Sequence, residues 1–430
     1  MKRYAEYKDS GIEWIGEIPE GWELITIGRL YQERNEKVSD VEYQPLSVTK
    51  NGVVPQLSTA AKTDNGDNRK LVKKADFVIN SRSDRRGSCG ISSFDGSVSL
   101  INVVLFPNEV INNTYYSYLF QSGRFSDEFY RWGRGIVDDL WSTKWSNMKN
   151  ILVPMPIPDI QEEISNFLNV KISAIDTLIA DKQKLIDLLK EERQAIISEA
   201  VTKGLDKTAK MKDSGIEWIG KIPEGWENKK FSYLFSFGRG LNITKSDLID
   251  EGIPCVNYGE IHSNCGFEVI SENNQLRCVN NSYLESSPQS LLLRGDFVFA
   301  DTSEDVDGTG NFTCLNSDTS IFAGYHSIIA RQKKGHNYRY LSYLFDSVNF
   351  RSQVRCRVSG IKVFSITQSI LKDVFVLLPS KNEQENIAKY LDRKTISIDT
   401  LISDIQTQIE KLKEYRQSLI NEVVTGKVAI

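Results

Sequence analysis

The sequence predicts an α/β chain written twice, with two globular α/β or α+β domains, two long helices that coil together, and a second half that duplicates the first. Three observations carry this. KDSGIEWIGEIPEGW at residues 8–22 returns as KDSGIEWIGKIPEGW at 212–226, with Glu17 changed to Lys221 and nothing else altered. Residues 161–204 return at 384–427: Gln161 matches Gln384, IDTLI at 175–179 matches IDTLI at 398–402, and Arg193-Gln194 matches Arg416-Gln417. Between these repeats lie short β-rich runs broken by Gly, Asn and Ser. A period of about 200 residues is far beyond the roughly 20–50 of solenoid repeats, so the unit repeated is a domain. The expected boundaries are 1–155 for the first globular domain, 156–209 for the first helical segment, 210–379 for the second domain and 380–430 for the second helical segment. Two such halves should be related by a pseudo-two-fold axis, like a dimer joined in one chain.

The repeated fifteen residues open each domain. Their apolar set, Ile12, Trp14, Ile15, Ile18 and Trp22, is expected to dock the domain on the helices; an exposed partner patch is the alternative. Strands are predicted at 76–79, 100–106, 296–299 and 327–330, and helices at 114–129 and 337–350, where Tyr118-Leu119-Phe120 is matched by Tyr343-Leu344-Phe345.

The helical segments read most clearly. Ile172, Ile175, Ile179, Ile186, Leu189 and Ile196 step by three and four, and so do Ile398, Ile402, Ile405, Ile409, Leu412 and Leu419. About four heptads in each copy form a coiled-coil seam, interrupted by Lys182, Arg193 and Arg416. Because the whole seam is repeated, packing of one segment on the other is favoured over packing of each on its own domain. Pro158-Asp159 marks one helix start, and Ser380 followed by Glu383 reads as a capping box at the other.

Composition bounds the function classes. The chain has 430 residues, 40% hydrophobic and 26% charged, with a net charge of −4. No apolar run is long enough to span a membrane and no secretory signal opens the chain, so a cytoplasmic protein without membrane contact is expected. The six cysteines form no C-x-x-C pair. Cys255, His262, Cys265 and Cys278 fit no common zinc spacing, so reduced thiols and no metal are expected. The chain has no Walker phosphate loop, no G-x-G-x-x-G, no H-E-x-x-H and no Asn-Pro-Pro-aromatic tetrad. Glu227-Asn228-Lys229 has the spacing of some nucleases, but Glu23-Leu24-Ile25 at the matching place lacks the lysine. The acidic run at 301–308 lacks a calcium loop's closing Glu. No catalytic residues are expected.

Arginine-rich loops point elsewhere. In the first domain Ser81, Arg82, Arg85 and Arg86 follow a predicted strand, and Arg131, Arg134 and Lys144 form a second cluster; in the second domain Arg351, Arg355, Arg357 and Lys362 cluster. Guanidinium forks mixed with Ser and amide side chains suit guanine edges and phosphates, whereas a solvated charged loop is the plainer reading of each cluster alone. Their recurrence in both halves favours DNA recognition, by different loops on one scaffold.

These residues resemble the specificity subunit of type I restriction–modification systems, on the doubled KDSGIEWIG-x-IPEGW openings and the doubled Gln-Glu…Ile-Asp-x-Leu-Ile helices. The resemblance covers essentially the whole chain. It implies two target recognition domains and two conserved helical spacers packed as an antiparallel coiled coil. The subunit it implies is non-catalytic and reads an asymmetric bipartite site on double-stranded DNA. Two methyltransferase subunits and restriction–translocase subunits would be its partners. S-adenosylmethionine, ATP and magnesium would be used by those partners, with no cofactor in this chain. A stand-alone sequence-specific DNA-binding protein is the alternative. Base-contacting residues vary within that family, so the arginine candidates rest on chemistry alone. The first spacer has Asn169-Val170-Lys171 where the second has Asp392-Arg393-Lys394, which predicts unequal contacts to the two partners.

Overall fold

A computed structural model describes residues 2–57, 66–108, 111–135, 141–216, 219–263, 265–272, 274–358 and 363–430. It divides into two compact units, one of residues 1–184 with 405–430 and the other of residues 185–404. Each long helix, Pro158–Lys203 and Lys381–Val424, gives its first part to one unit and its last part to the other.

In unit one the repeated opening forms a hairpin, Tyr7–Asp9 against Glu17–Pro19. Glu23–Thr26 then pairs with Leu152–Met155, so the domain's two ends leave side by side. Its centre is an antiparallel sheet in the order Cys89–Ile91, Phe77–Asn80, Asn102–Pro107, Tyr31–Glu33. A smaller sheet has Arg69–Val72 in the middle, flanked by Gly96–Val98 and Lys37–Val38. Unit two repeats the plan. Met211–Asp213 pairs with Lys221–Pro223, and Glu227–Lys230 with Phe375–Leu378. Its central sheet runs Phe235–Arg239, Ser327–Gln332, Phe297–Ala300, Phe312–Leu315, with Glu268–Val269 added in parallel at the edge.

The helices expected at 114–129 and 337–350 are each broken in two, Asn113–Gln121 with Gly123–Arg131 and Tyr338–Asp346 with Val348–Arg355. The same residue type breaks both. Ser122 and Ser347 are extended, with ψ of 141° and 147°, and each side chain accepts the N–H three residues on, from Phe125 and Phe350. A serine there caps the next helix more favourably than it continues the last one. Asn112 and Asn337 cap the leading helices in the same way.

The long helices run antiparallel. In unit one Asp176 meets Arg416 at 2.8 Å while Lys182 meets Gln408 at 2.6 Å, so partner numbers fall as the first helix advances. Ile164, Leu168, Ile172 and Ile175 share one core with Leu419, Ile420 and Val423. In unit two Ile197, Ala200 and Val201 share a core with Ile387, Ala388 and Leu391, and Arg193 meets Asp399 at 3.0 Å. Ile172, Ile175, Ile186, Leu189, Ile398, Ile405, Ile409 and Leu419 are buried; Ile179, Ile196, Ile402 and Leu412 are partly buried. Burial of a branched aliphatic side chain is worth about 1.5–3 kcal/mol, which the seam repeats many times over.

The repeated openings are scaffold. Ile15, Ile18 and Trp22 are buried, and Ile12 and Trp14 are partly buried against the same core, with Trp14 edge-on to Phe125. Trp22 lies with Val423, Val424 and Val428, while Trp226 lies with Ile197, Ala200 and Val201. Each opening therefore docks where the other half's, or its own preceding, long helix ends. Trp218, the second copy's match to Trp14, lies outside the described residues.

The capping box is half realised. Ser380 accepts the Glu383 N–H at 3.3 Å, but the Glu383 carboxylate takes the Trp226 indole N–H at 3.0 Å. An indole donor sealed in a core outcompetes a helix-start amide that water can reach.

Candidate nucleic-acid interface

In both units the chain leaves the equivalent strand of the central sheet, Phe77–Asn80 or Phe297–Ala300, and turns across the end of that sheet. In unit one Ser81 O accepts from Thr143 N at 2.9 Å, and Ser83 N donates to Trp141 O at 3.0 Å. A bridge joins Arg82 and Ser142, and a second joins Arg134 and Ser142. In unit two the same crossing is a short ladder, Thr302–Ser303 against Phe364–Ser365.

This crossing walls a cleft in each unit. The cleft in unit one, about 750 Å³, is lined by Lys37, Lys70, Arg82, Lys144 and Lys149, with Ser81, Asn35, Trp145 and the acid Glu33. Lys70 is the least available of these cations, bonded to Glu33 and to Asn102 O at 2.9 Å each. The cleft in unit two, about 940 Å³, is lined by Arg239, Asn242, Asp301, Thr302, His326 and Gln368 among others. The positions correspond. Ser81 and Asp301 each follow the same strand, and Trp145 and Gln368 each open the next short helix. One cleft is cationic and the other mixes donors with an acid, so a common frame presents different recognition chemistry.

In unit two a hydrogen-bond chain holds the wall. Arg351 donates to Asn311 Oδ1 at 2.6 Å, and Asn311 lies 2.9 Å from His262 Nδ1. His262 Nε2 lies 2.8 Å from Thr302 O, which accepts only, so the chain assigns the neutral Nε2–H tautomer. Asp301 Oδ1 accepts from Thr302 Oγ1 at 2.7 Å and lies 3.2 Å from His326 Nδ1. His326 sits in the left-handed region, at φ 54°. His262 is thus spent on the wall. Burial pushes the thiols of Cys255 and Cys265 up to about 12, leaving both protonated at neutral pH.

The structure gathers Ser81, Arg82 and Lys144 in the cleft of unit one and places the other arginine candidates around or beyond it. Arg82 and Arg85 both reach Asp84, at 3.0 and 3.7 Å. Arg86 pairs with Asp127 at 3.0 Å and covers the Tyr130 ring, in a neighbouring depression shared with Arg131. Arg131 bonds Glu128 at 2.8 Å, and Arg134 is exposed beside Ser142. In unit two Arg351 is committed to Asn311 and Asp346, Arg355 to Asp307, and Arg357 to Gln353 O at 2.8 Å. None of these three lines the cleft of that unit. Lys362 lies outside the described residues. The sequence reading missed Lys37, Lys149, Arg239, Asp301 and His326. Sliding the two copies over each other on DFVIN and DFVFA would have found Asp301 opposite Ser81; Lys37 and Arg239 sit on other strands and gave no local signal.

Residues 223–411 match the family model described as the type I restriction modification DNA specificity domain. The chain is 25% identical to the MjaVIII specificity subunit of Methanocaldococcus jannaschii, covering 96% of this chain and 94% of that one. It is 22% identical to the EcoKI specificity subunit of Escherichia coli K12, over 96% and 90% of the two chains. A chain from a structure of type I R-M complex assembly and conformational transition superposes with a TM-score of 0.71 at 14% identity, over 96% and 99%. The HsdS subunit of Thermoanaerobacter tengcongensis superposes with a TM-score of 0.50 at 15% identity, over 96% and 98%.

Proposed function

Because the chain belongs to the specificity subunits of type I restriction–modification systems, we propose that each unit reads one half of a bipartite DNA site through its end-of-sheet cleft. The observation that carries this is the pair of clefts themselves, at one topological position in both units and lined by different side chains. In unit one the ammonium groups of Lys37, Lys144 and Lys149 hold backbone phosphates, and Arg82 reads a base edge. In unit two Asp301 accepts from a cytosine or adenine amino group, and Arg239 supplies the guanidinium.

The chain itself does no bond chemistry. Two methyltransferase subunits, using S-adenosylmethionine, and restriction–translocase subunits, using ATP and magnesium, complete the complex and supply much of the nonspecific grip that a net charge of −4 cannot. Among the described residues no helix is long and apolar enough to cross a membrane. No observation favours a stand-alone DNA-binding role.

The test is site preference by methylome sequencing in cells that carry the partner subunits. Arg82→Ala should relax one half-site and Asp301→Ala the other, each by about 1–3 kcal/mol for the base-edge hydrogen bonding removed. Relaxation of both half-sites by either variant would contradict the reading.

A further inference from the structure

Unit two has a second, basic cavity. It holds about 860 Å³ between the strand Glu227–Lys230, the start of the second long helix and the segment before the helix Tyr338–Asp346. Lys229, Lys230, Lys334 and Lys381 line it, with His336 in the wall. Lys229 pairs with Glu227, and Lys230 meets Asp373 at 2.8 Å. Lys334 and Lys381 are exposed and carry no ion pair among the described residues. Both ring nitrogens of His336 are shut from solvent without a hydrogen-bond partner. Burial, with the charges of Lys381, Lys229 and Lys334 pressing on it and Glu227 alone opposing, lowers its pKa. A neutral imidazole beside uncompensated ammonium groups is a site short of negative charge.

The duplication supplies an internal control. Lys229 faces Val376 in its ladder where Ile25 faces Val153 in the other unit. His336 precedes the capping Asn337 as Ile111 precedes the capping Asn112. Lys381 opens its long helix as Pro158 opens the other. The same scaffold thus forms with Ile, Ile and Pro at these three places, so folding requires none of Lys229, His336 and Lys381.

The geometry points to a phosphate-binding site in this cavity, formed by Lys229, Lys334 and Lys381 with His336 behind them, that takes a phosphate group from a DNA backbone or from a free phosphate compound. Ammonium groups are strongly hydrated point charges suited to a tetrahedral dianion, and the first turn of a long helix adds favourable potential at the cavity's edge. Bound phosphate offsets the ammonium charge, so His336 takes up a proton and its ring becomes the reporter of occupancy. The site stands apart from the end-of-sheet clefts and does not depend on their role.

The chain has only three histidines, which makes the reporter resolvable in the full-length protein. Imidazole resonances are followed by NMR as orthophosphate, and separately a short mixed-sequence duplex DNA, is added. His336→Gln assigns the signal. A saturable downfield shift of the His336 resonance is expected, with affinity about tenfold weaker in Lys334→Gln/Lys381→Gln. A shift with orthophosphate that DNA displaces, or with DNA alone, identifies the backbone as the source; a shift with orthophosphate that DNA leaves unchanged identifies a free phosphate. Lys229→Ile/His336→Ile, built from unit one's own residues, should keep the melting temperature and lose binding by calorimetry. No saturable response to either probe in the folded wild-type protein overturns the site, as does undiminished binding in the doubly substituted chains.

Discussion

Gly204 and Gly426 close the two long helices with φ of +74° and +72°, the left-handed ending that a side chain resists by about 1–2 kcal/mol. Their surroundings differ. A Cβ on Gly204 would meet Glu383 Oε1 and the Trp226 ring at 3.2 Å, the first of them the end of a flexible side chain. A Cβ on Gly426 would meet Pro19 Cδ at 2.5 Å and the Trp22 ring at 3.0 Å, neither of which can turn aside. Gly426→Ala should therefore destabilise by more than Gly204→Ala, the first by about 3 kcal/mol or more and the second by about 1–2. Chemical denaturation of the two variants checks the order, and equal destabilisation would show that backbone strain alone decides. Asn169 and Asp392 give a second residue-scale lesson. Tyr118 OH donates to Asn169 Oδ1 at 2.8 Å, and Tyr343 OH to Asp392 Oδ1 at 2.7 Å. The carboxylate is needed in the second copy because Arg339 also bonds it, at 2.7 Å; Thr114 stands in that place in the first. At this one position the difference between the copies follows from packing within each unit.

The long helices show why a seam can be read from sequence while its polar exceptions cannot. A heptad of Ile and Leu declares a buried face without reference to anything else in the chain. Lys182, Arg193 and Arg416 look like breaks in it, yet each reaches from the seam to a partner on the opposite helix, Gln408, Asp399 and Asp176. Such pairs are half-exposed, contribute little to stability, and help set register. The matched glutamines do a related job within each unit: Gln194 donates to Asp346 O at 3.2 Å and Gln417 to Gln121 O at 3.4 Å, tying each domain to the helix beneath it. If the seam is what holds the halves, a fragment of residues 1–209 lacks the strip Leu419, Ile420, Val423 and Val424 and bares Ile164, Leu168, Ile172 and Ile175. A second copy presents the equivalent strip and covers it. Light scattering should find the fragment dimeric; a soluble monomer at micromolar concentration would refute seam-driven pairing.

At the scale of the whole molecule the duplication was the most legible feature, because fifteen nearly identical residues and a repeated heptad survive any uncertainty about local structure. The clefts proposed as the recognition surface were the least legible. Arginine density drew attention to Arg351, Arg355 and Arg357, which fold back on Asn311, Asp307 and Gln353. The clefts instead collect residues from four or five separated stretches, such as Lys37, Lys70, Arg82 and Lys144, that only the sheet brings together. In the proposed function one scaffold, used twice, reads two different half-sites. The most direct test of this replaces residues 23–155 by a second copy of residues 227–378, since both segments begin and end on one paired ladder, Glu23 opposite Met155 and Glu227 opposite Leu378. Methylome sequencing of cells carrying this chain with its partner subunits should show a palindromic bipartite site, the unit-two half-site facing its own inverse. An asymmetric site that keeps the original unit-one half would show that the clefts do not each read their own half-site.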